Sequence, residues 1–138
     1  MKKKVLTALG ALLVVTLVVV VCVVNRPYKP VSFVVDGENF SASVENGDTL
    51  ILELPNHNSC EDEWEIVLTP EFFASDYCNT TGDITEFHII ALKEGTGEMA
   101  FHHTQKDGTI AKYILTLSIS RHQKTYLQID EVSFGEYK

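Results

Sequence analysis

The sequence predicts an all-β sandwich that follows one N-terminal transmembrane helix, and three observations support this fold class. Residues 5–24 form an apolar run without charge or proline. From residue 31 onward, short stretches alternate apolar and polar residues, which is the two-residue period of half-buried strands. Turn residues separate these stretches at intervals of roughly 8–12 positions, which is typical of sandwiches.

The N-terminal apolar run is long enough to cross a membrane. It covers 20 residues, which as a helix span about 30 Å, the thickness of the hydrocarbon core of a bilayer. Lysines at positions 2–4 precede it, and the positive-inside rule places them in the cytoplasm. We therefore predict that residues 1–25 are a single-pass signal anchor in the cell membrane and that residues 26–30 are a short stalk.

Two other fates of this leader stay open. A cleaved signal peptide would secrete the domain, although such peptides usually have an apolar core of about 7–15 residues and a small-residue cleavage site. Lipidation of Cys22 after cleavage would give a lipoprotein, but Val21 stands where a small residue is expected. In each case the domain formed by residues 31–138 lies outside the cytoplasm.

The exported part of the chain is strongly acidic. The whole sequence has a net charge of −8, and without the leading lysines eight basic residues face 19 acidic ones, which gives about −11. Phosphate binding needs a basic face, so nucleic acid is excluded as a partner. An acidic surface favours solubility and also a basic partner.

The use of cysteine fits export. Besides Cys22 the chain has only Cys60 and Cys78, and two cysteines in a small exported domain predict a disulfide. Closing that loop contributes about 3 kcal/mol in the chain-entropy model. The alternatives are two unrelated free thiols or a catalytic cysteine, which would need a neighbouring base.

The exported domain divides into short strands joined by turns. The predicted strands cover residues 31–35, 40–44, 49–54, 64–69, 84–93, 98–104, 110–120 and 125–134. Residues 36–39, Asp-Gly-Glu-Asn, predict a hairpin between the first two strands, and residues 70–81 are predicted to be irregular. The expected inward positions are Leu50, Leu52, Leu54, Trp64, Ile66, Phe87, Ile89, Phe101, Leu115 and Leu117.

A polar loop of eight residues, 56–63, separates two of these alternating strands. Leucines at 50, 52 and 54 alternate before it, and Trp64 opens the strand that follows. Irregular loops held by rigid strands commonly carry binding residues. This loop is therefore the first candidate functional segment.

From about residue 40 to residue 120, the order of strands and loops resembles the chagasin-like inhibitors of papain-family cysteine proteases. In that family a Gly-Asp or Gly-Glu turn leads to an alternating strand that ends in Leu-Pro, then eight residues and a tryptophan. Here Gly47-Asp48, Leu54-Pro55 and Trp64 match that order without a gap. Gly82 before Phe87, Gly95-Thr96 and the strand over 113–119 resemble the rest of the family scaffold.

The resemblance implies an immunoglobulin-like β-sandwich that inserts three loops, 56–63, 79–83 and 104–109, into the active-site cleft of a papain-like protease. A Cys60–Cys78 bridge would join the first loop to the second. The resemblance implies neither a cofactor nor enzymatic activity. The protease-binding residues it implies are His57, Asn58, Ser59 and Cys60, then Thr81 and Gly82, then Gln105, Lys106 and Asp107.

The loop residues depart from the family pattern. The first family loop reads Asn-Pro-Thr-Thr-Gly, whereas residues 57–61 are His-Asn-Ser-Cys-Glu. The second loop, usually rich in glycine, keeps only Gly82, and residues 105–107 replace the usual Arg-Pro-Trp without an aromatic anchor. The alternative function is therefore an immunoglobulin-like envelope or adhesion module, anchored in the membrane and without a protease target.

Other clusters of polar residues predict no chemistry. Acidic residues at 61–63 and 65 and Asp83 match no known calcium loop pattern, and we expect a solvated acidic face. His102 and His103 are neighbours on a strand and point to opposite faces, so no metal site is predicted. Asn79 begins an Asn-Thr-Thr glycosylation acceptor, which is relevant in a eukaryotic source.

Overall fold

A computed structural model describes residues 30–57, 63–122 and 125–138, which form two packed β-sheets. The larger sheet has the order β1-β9-β8-β7-β4 and the smaller one β2-β3-β6-β5. Neighbouring strands are antiparallel except β1 and β9, which are parallel. The predicted all-β sandwich is thus confirmed for the described residues. The strands are β1 (Ser32–Val35), β2 (Ser41–Glu45), β3 (Thr49–Pro55), β4 (Trp64–Leu68), β5 (Phe73–Thr81), β6 (Ile84–Ala91), β7 (Gly95–Thr104), β8 (Ile110–His122) and β9 (Tyr126–Glu136).

The core lies between the two sheets and follows the alternation seen in the sequence. Every predicted inward position is buried except Ile66, which is partly buried against the same cluster. Removing these side chains from water is the main favourable term for a domain of this size. The core also contains Met99, Ile119 and Ile129, which lie on predicted strands. Phe73, Val132 and Phe134 are core side chains that the prediction did not include.

The connection between β1 and β2 crosses from one sheet to the other, so the hairpin predicted at residues 36–39 is wrong. β1 pairs with β9, whereas β2 pairs with β3. The turn is closed by a backbone hydrogen bond from the Phe40 N–H to the Gly37 carbonyl at 3.5 Å. The Phe40 ring packs so close to Gly37 that an added Cβ atom there would overlap it. That ring makes an edge contact with Trp64 at 5.7 Å between ring centroids.

The segment predicted to be irregular, 70–81, becomes strand β5 from Phe73 onward. It pairs with β6, and the register shifts between Ser75 and Tyr77. Such a bulge interrupts the alternation of inward and outward side chains, which explains why the sequence pattern did not predict the strand. β4 has a similar irregularity between Ile66 and Leu68. Both are edge strands, and bulges reduce unwanted pairing at an edge.

The C-terminal segment, which lies beyond the family resemblance, completes the larger sheet. β9 lies between β1 and β8 rather than at an edge. Ile129, Val132 and Phe134 are almost fully buried. Residues 126–136 are therefore part of the core, and the domain extends nearly to the end of the chain.

The predicted signal anchor over residues 1–25, with its apolar span 5–24, lies outside the described residues. So do Cys22 and the stalk up to residue 29. Within the described part of the chain, no helix has the length and apolar character needed to span a membrane.

Replacing Gly95 with alanine is expected to lower the free energy of unfolding by about 2–4 kcal/mol, because φ there is +142° and an added Cβ would overlap the Phe72 ring. The measurement is urea unfolding. The matched control is Gly82→Ala, where φ is +63° and no atom lies within 4 Å of the added Cβ. That control is expected to cost about 1 kcal/mol, and equal losses in the two variants would contradict this reading of Gly95.

Candidate functional site

Four connections between strands lie at one end of the sandwich, which we call the loop end. One of them joins β1 to β2. The other three, which we call the first, second and third connections, join β3 to β4 (56–63), β5 to β6 (82–83) and β7 to β8 (105–109). The backbone N–H of Asn56 donates to the Asp83 carbonyl at 2.6 Å, and the N–H of Thr104 donates to the Glu63 carbonyl at 2.9 Å. The first connection is thus hydrogen-bonded to the second at its start. At its finish it is hydrogen-bonded to the last residue of β7, where the third connection begins.

Glu63 fixes both ends of the first connection. Its carboxylate Oε1 accepts a hydrogen bond from the backbone N–H of His57 at 2.8 Å and lies 2.8 Å from Nε2 of His103. An ionised carboxylate can only accept, so it pairs with the His103 tautomer that has its proton on Nε2. Glu63 is almost fully buried, so the expected solvated acidic face is wrong for this residue. Two donors offset the cost of burying the carboxylate.

Trp64 joins the loop end to the core. Its ring stacks on the His103 ring with centroids 4.0 Å apart and planes 5° apart. The indole N–H donates to the Pro55 carbonyl at 2.8 Å, so both strands that flank the first connection are held together through this side chain. The tryptophan therefore sets the spacing of β3 and β4 where the connection leaves them.

The third connection closes on itself. The N–H of Gln105 donates to the Thr109 carbonyl at 2.8 Å, and the N–H of Gly108 donates to the Gln105 carbonyl at 2.9 Å. Asp107 accepts from the N–H and the hydroxyl of Thr109 at 2.9 and 2.6 Å, and these hydrogen bonds lower the pKa of Asp107. Asp107 shapes the turn, while Lys106 is exposed beside it.

A pocket of about 330 Å³ opens at the loop end. Its volume lies near the lower limit of small-ligand pockets, about 300–1,000 Å³. One wall comes from the β1–β2 connection, a second from the start of the first connection, and a third from the end of β7 and the start of β8. The lining residues are Gly37, Glu38, Phe40, Pro55, His57, His103, Gln105, Lys106 and Tyr113.

The sequence-predicted binding residues fall into three groups. The structure brings three of them, His57, Gln105 and Lys106, to the lining of this pocket. Three others are exposed at the same end: Thr81 at the end of β5, Gly82 in the β5–β6 turn and Asp107 in the third connection. The remaining three, Asn58, Ser59 and Cys60, lie outside the described residues.

Sequence reasoning missed the residues that give the pocket its walls. Glu38 and Phe40 belong to the supposed hairpin, and Tyr113 resembled an ordinary core position. For His103 the sequence predicts only that its side chain and that of His102 point to opposite faces of a strand, whereas it lies directly across from Trp64 in the β4–β7 register. A correct pairing of β4 with β7 is the one signal that would have placed His103 beside Glu63.

Cys78 is a free, exposed cysteine on β5. Its thiol is still partly shielded from water by its neighbours, and this desolvation raises its pKa. Its expected disulfide partner, Cys60, lies outside the described residues, and within the described ranges no disulfide is present. The predicted covalent link between the first and second loops is therefore not supported. The link that the structure does show is the hydrogen bond from Asn56 to Asp83.

The histidines at the loop end are arranged for hydrogen bonding. The His57 and His103 rings lie 6.0 Å apart, and Glu63 Oε1 is hydrogen-bonded to the backbone N–H of His57 and to the ring Nε2 of His103. This Oε1 already receives two hydrogen bonds, which leaves this atom poorly placed to coordinate a cation. Across residues 30–57, 63–122 and 125–138, no group of three or more His, Cys, Asp or Glu side chains is arranged to hold a metal ion.

Tyr113 should ionise at a higher pH than an ordinary tyrosine. Burial, and then the carboxylates of Glu136 and Asp36, raise its pKa. A raised pKa in the folded state favours the protonated form, so the stability that neutral Tyr113 contributes is present below about pH 10 and is lost at higher pH. In a tyrosinate absorbance titration, Tyr113→Phe should remove the most alkaline part of the curve. Tyr126→Phe, at an exposed tyrosine, is the control, and loss of the same part in both variants would contradict the expectation.

Comparisons with known proteins found no match for this chain among family models, curated proteins or solved structures.

Proposed function

We propose that this protein is an exported, immunoglobulin-like binding domain that inhibits a papain-family cysteine protease without chemistry of its own. The observation that carries the proposal is the meeting of three strand connections at one end of a rigid sandwich. The hydrogen bonds of Asn56 with Asp83 and of Thr104 with Glu63 hold that arrangement. Three adjacent loops are the shape needed to enter a long protease cleft.

The third connection and the two ends of the first connection are held in place before any partner binds. The buried Glu63 carboxylate and the stacked Trp64 fix where the first connection starts and finishes, and Asp107 fixes the third. Loops that are already ordered lose less conformational entropy on association, which favours affinity. His57, Gly82 and Lys106 are exposed there and would provide direct contacts with the protease.

The direction of β1 supports presentation of the loop end away from the leader. β1 pairs parallel to β9, with Val35 opposite Phe134. β9 ends at the loop end, where the Tyr137 N–H donates to the Lys112 carbonyl. The chain therefore enters β1 from the other direction. An anchor formed by residues 5–24 would leave the loops facing away from the membrane.

The test is inhibition of papain-family proteases by the full-length chain in detergent, assayed with a fluorogenic peptide. We expect competitive inhibition at micromolar concentration or below, with the chain remaining uncleaved. The control is heat-denatured protein at the same concentration. No inhibition across a panel of such enzymes would rule out the proposal for that panel.

The pocket favours a second candidate, an adhesion or envelope module that recognises a protein other than a protease. Its Gly37, Glu38 and Phe40 wall lies outside the three loops of the inhibitor family. Such a wall would serve recognition of a partner that has no cleft for the loops to enter. Binding that is retained while protease inhibition is absent would favour this candidate.

A further inference from the structure

The pocket at the loop end has an aromatic interior. The Phe40 and Tyr113 rings that line it lie 5.5 Å apart between centroids. Both rings pack against Phe134, also at 5.5 Å, so neither is free to turn away. Aromatic rings fixed at a partly open pocket attract cations through the negative charge on their faces.

Carboxylates outnumber cations around this interior. Glu38 lines the pocket, Glu136 lies opposite Tyr113 in the β8–β9 register, and Asp36 is close enough, with Glu136, to raise the pKa of Tyr113.

The basic groups near the pocket are few or already engaged. His103 is hydrogen-bonded to Glu63, and His57 lines the opposite wall. The Lys112 ammonium lies over the Tyr137 ring at 5.1 Å. Lys106 is thus the one formally charged cation in the described lining, and it is exposed in a turn.

We propose that this pocket binds a cationic side chain, an arginine or a lysine, of a protein partner. The aromatic interior provides cation–π attraction and the surrounding carboxylates provide Coulomb attraction. The charge of about −11 on the exported part adds long-range attraction to a basic surface. The proposal rests on the proposed function in one respect only, which is that the cationic side chain belongs to a protein partner.

The test is an amide NMR titration of the full-length chain in non-ionic detergent with four blocked amino-acid amides: N-acetyl-arginine, -lysine, -glutamate and -norleucine amide. We expect the arginine and lysine compounds to shift the signals of Gly37, Gln105 and the Trp64 indole. The glutamate and norleucine compounds should have little effect.

Two variants that change the charge of the pocket in opposite directions test its preference for a cation. Glu38→Gln should weaken arginine-amide binding about threefold, and Lys106→Gln should strengthen it by a similar factor. Glu45→Gln, at an exposed carboxylate on β2, should leave binding unchanged. All three positions are exposed, so each variant should fold.

Three results would overturn the proposal. They are no shift at the pocket with arginine or lysine amide, shifts of equal size with glutamate or norleucine amide, and weaker arginine binding in Lys106→Gln than in Glu38→Gln. Because the titration contains no protease, its outcome is independent of the inhibition assay. Absence of inhibition would leave the pocket proposal standing, and failure of the titration would leave the inhibitor proposal standing.

Discussion

Replacing Glu63 with alanine is expected to lower the free energy of unfolding by about 2–4 kcal/mol, the cost of leaving two buried donors without an acceptor. The change leaves the N–H of His57 and Nε2 of His103 without the acceptor they share. Donors that remain unsatisfied in the interior lose their interaction with water and gain nothing in return. The measurement is urea unfolding followed by the fluorescence of Trp64, the single tryptophan of the chain.

Two further variants isolate the role of the Glu63 carboxylate. Glu63→Gln keeps the shape and one acceptor oxygen, and it should lose about half as much stability as the alanine variant. Glu65→Ala changes an exposed carboxylate two residues along β4 and should fall within about 0.5 kcal/mol of the unchanged protein. A loss in Glu63→Ala no larger than in Glu65→Ala would contradict the role given to this side chain.

Replacing Trp64 with alanine is expected to cost about 3–5 kcal/mol, the range for a large aromatic residue removed from a core. Trp64 is only 3% exposed and contacts Phe40, His103 and Tyr113 through its rings. The change also removes the donor to the Pro55 carbonyl. Because the variant has no tryptophan, its unfolding is measured by circular dichroism.

Trp64→Phe is the matched control for this side chain. It keeps an aromatic ring in the core but loses the N–H that donates to Pro55 and part of the stacking on His103. We expect a loss of about 1–2 kcal/mol. Equal losses in the alanine and phenylalanine variants would show that the hydrogen bond, and not the packing of the ring, determines the contribution of Trp64.

The strands with regular alternation were predictable from the sequence, and the irregular ones were not. Leu50, Leu52 and Leu54 alternate without interruption and all lie in the core. β5 was missed because its bulge after Ser75 interrupts that period. The turn at residues 36–39 indicated a reversal of the chain, but a turn sequence does not determine whether the next strand joins the same sheet.

The candidate site was predictable only where it consists of local segments. The first loop was recognised from its eight polar residues, and its connection to the other loops depends on strand register. The sequence places Glu63 in a solvated acidic cluster, because its partner His103 lies 40 positions away in the sequence. Burial of a polar residue by a distant partner leaves no local pattern. The pocket wall formed by the β1–β2 connection likewise depends on contacts between residues that are distant in the sequence.

We propose that the loop end is the surface that contacts a partner. The most direct measurement is amide hydrogen exchange of the full-length chain, alone and mixed with a papain-family protease whose catalytic cysteine is replaced by alanine. We predict slower exchange at Asn56, Gly82 and Gly108 in the mixture, and unchanged exchange at Gly47 and Gly95 at the opposite end. Unchanged exchange at all five positions, or protection confined to the opposite end, would contradict the claim.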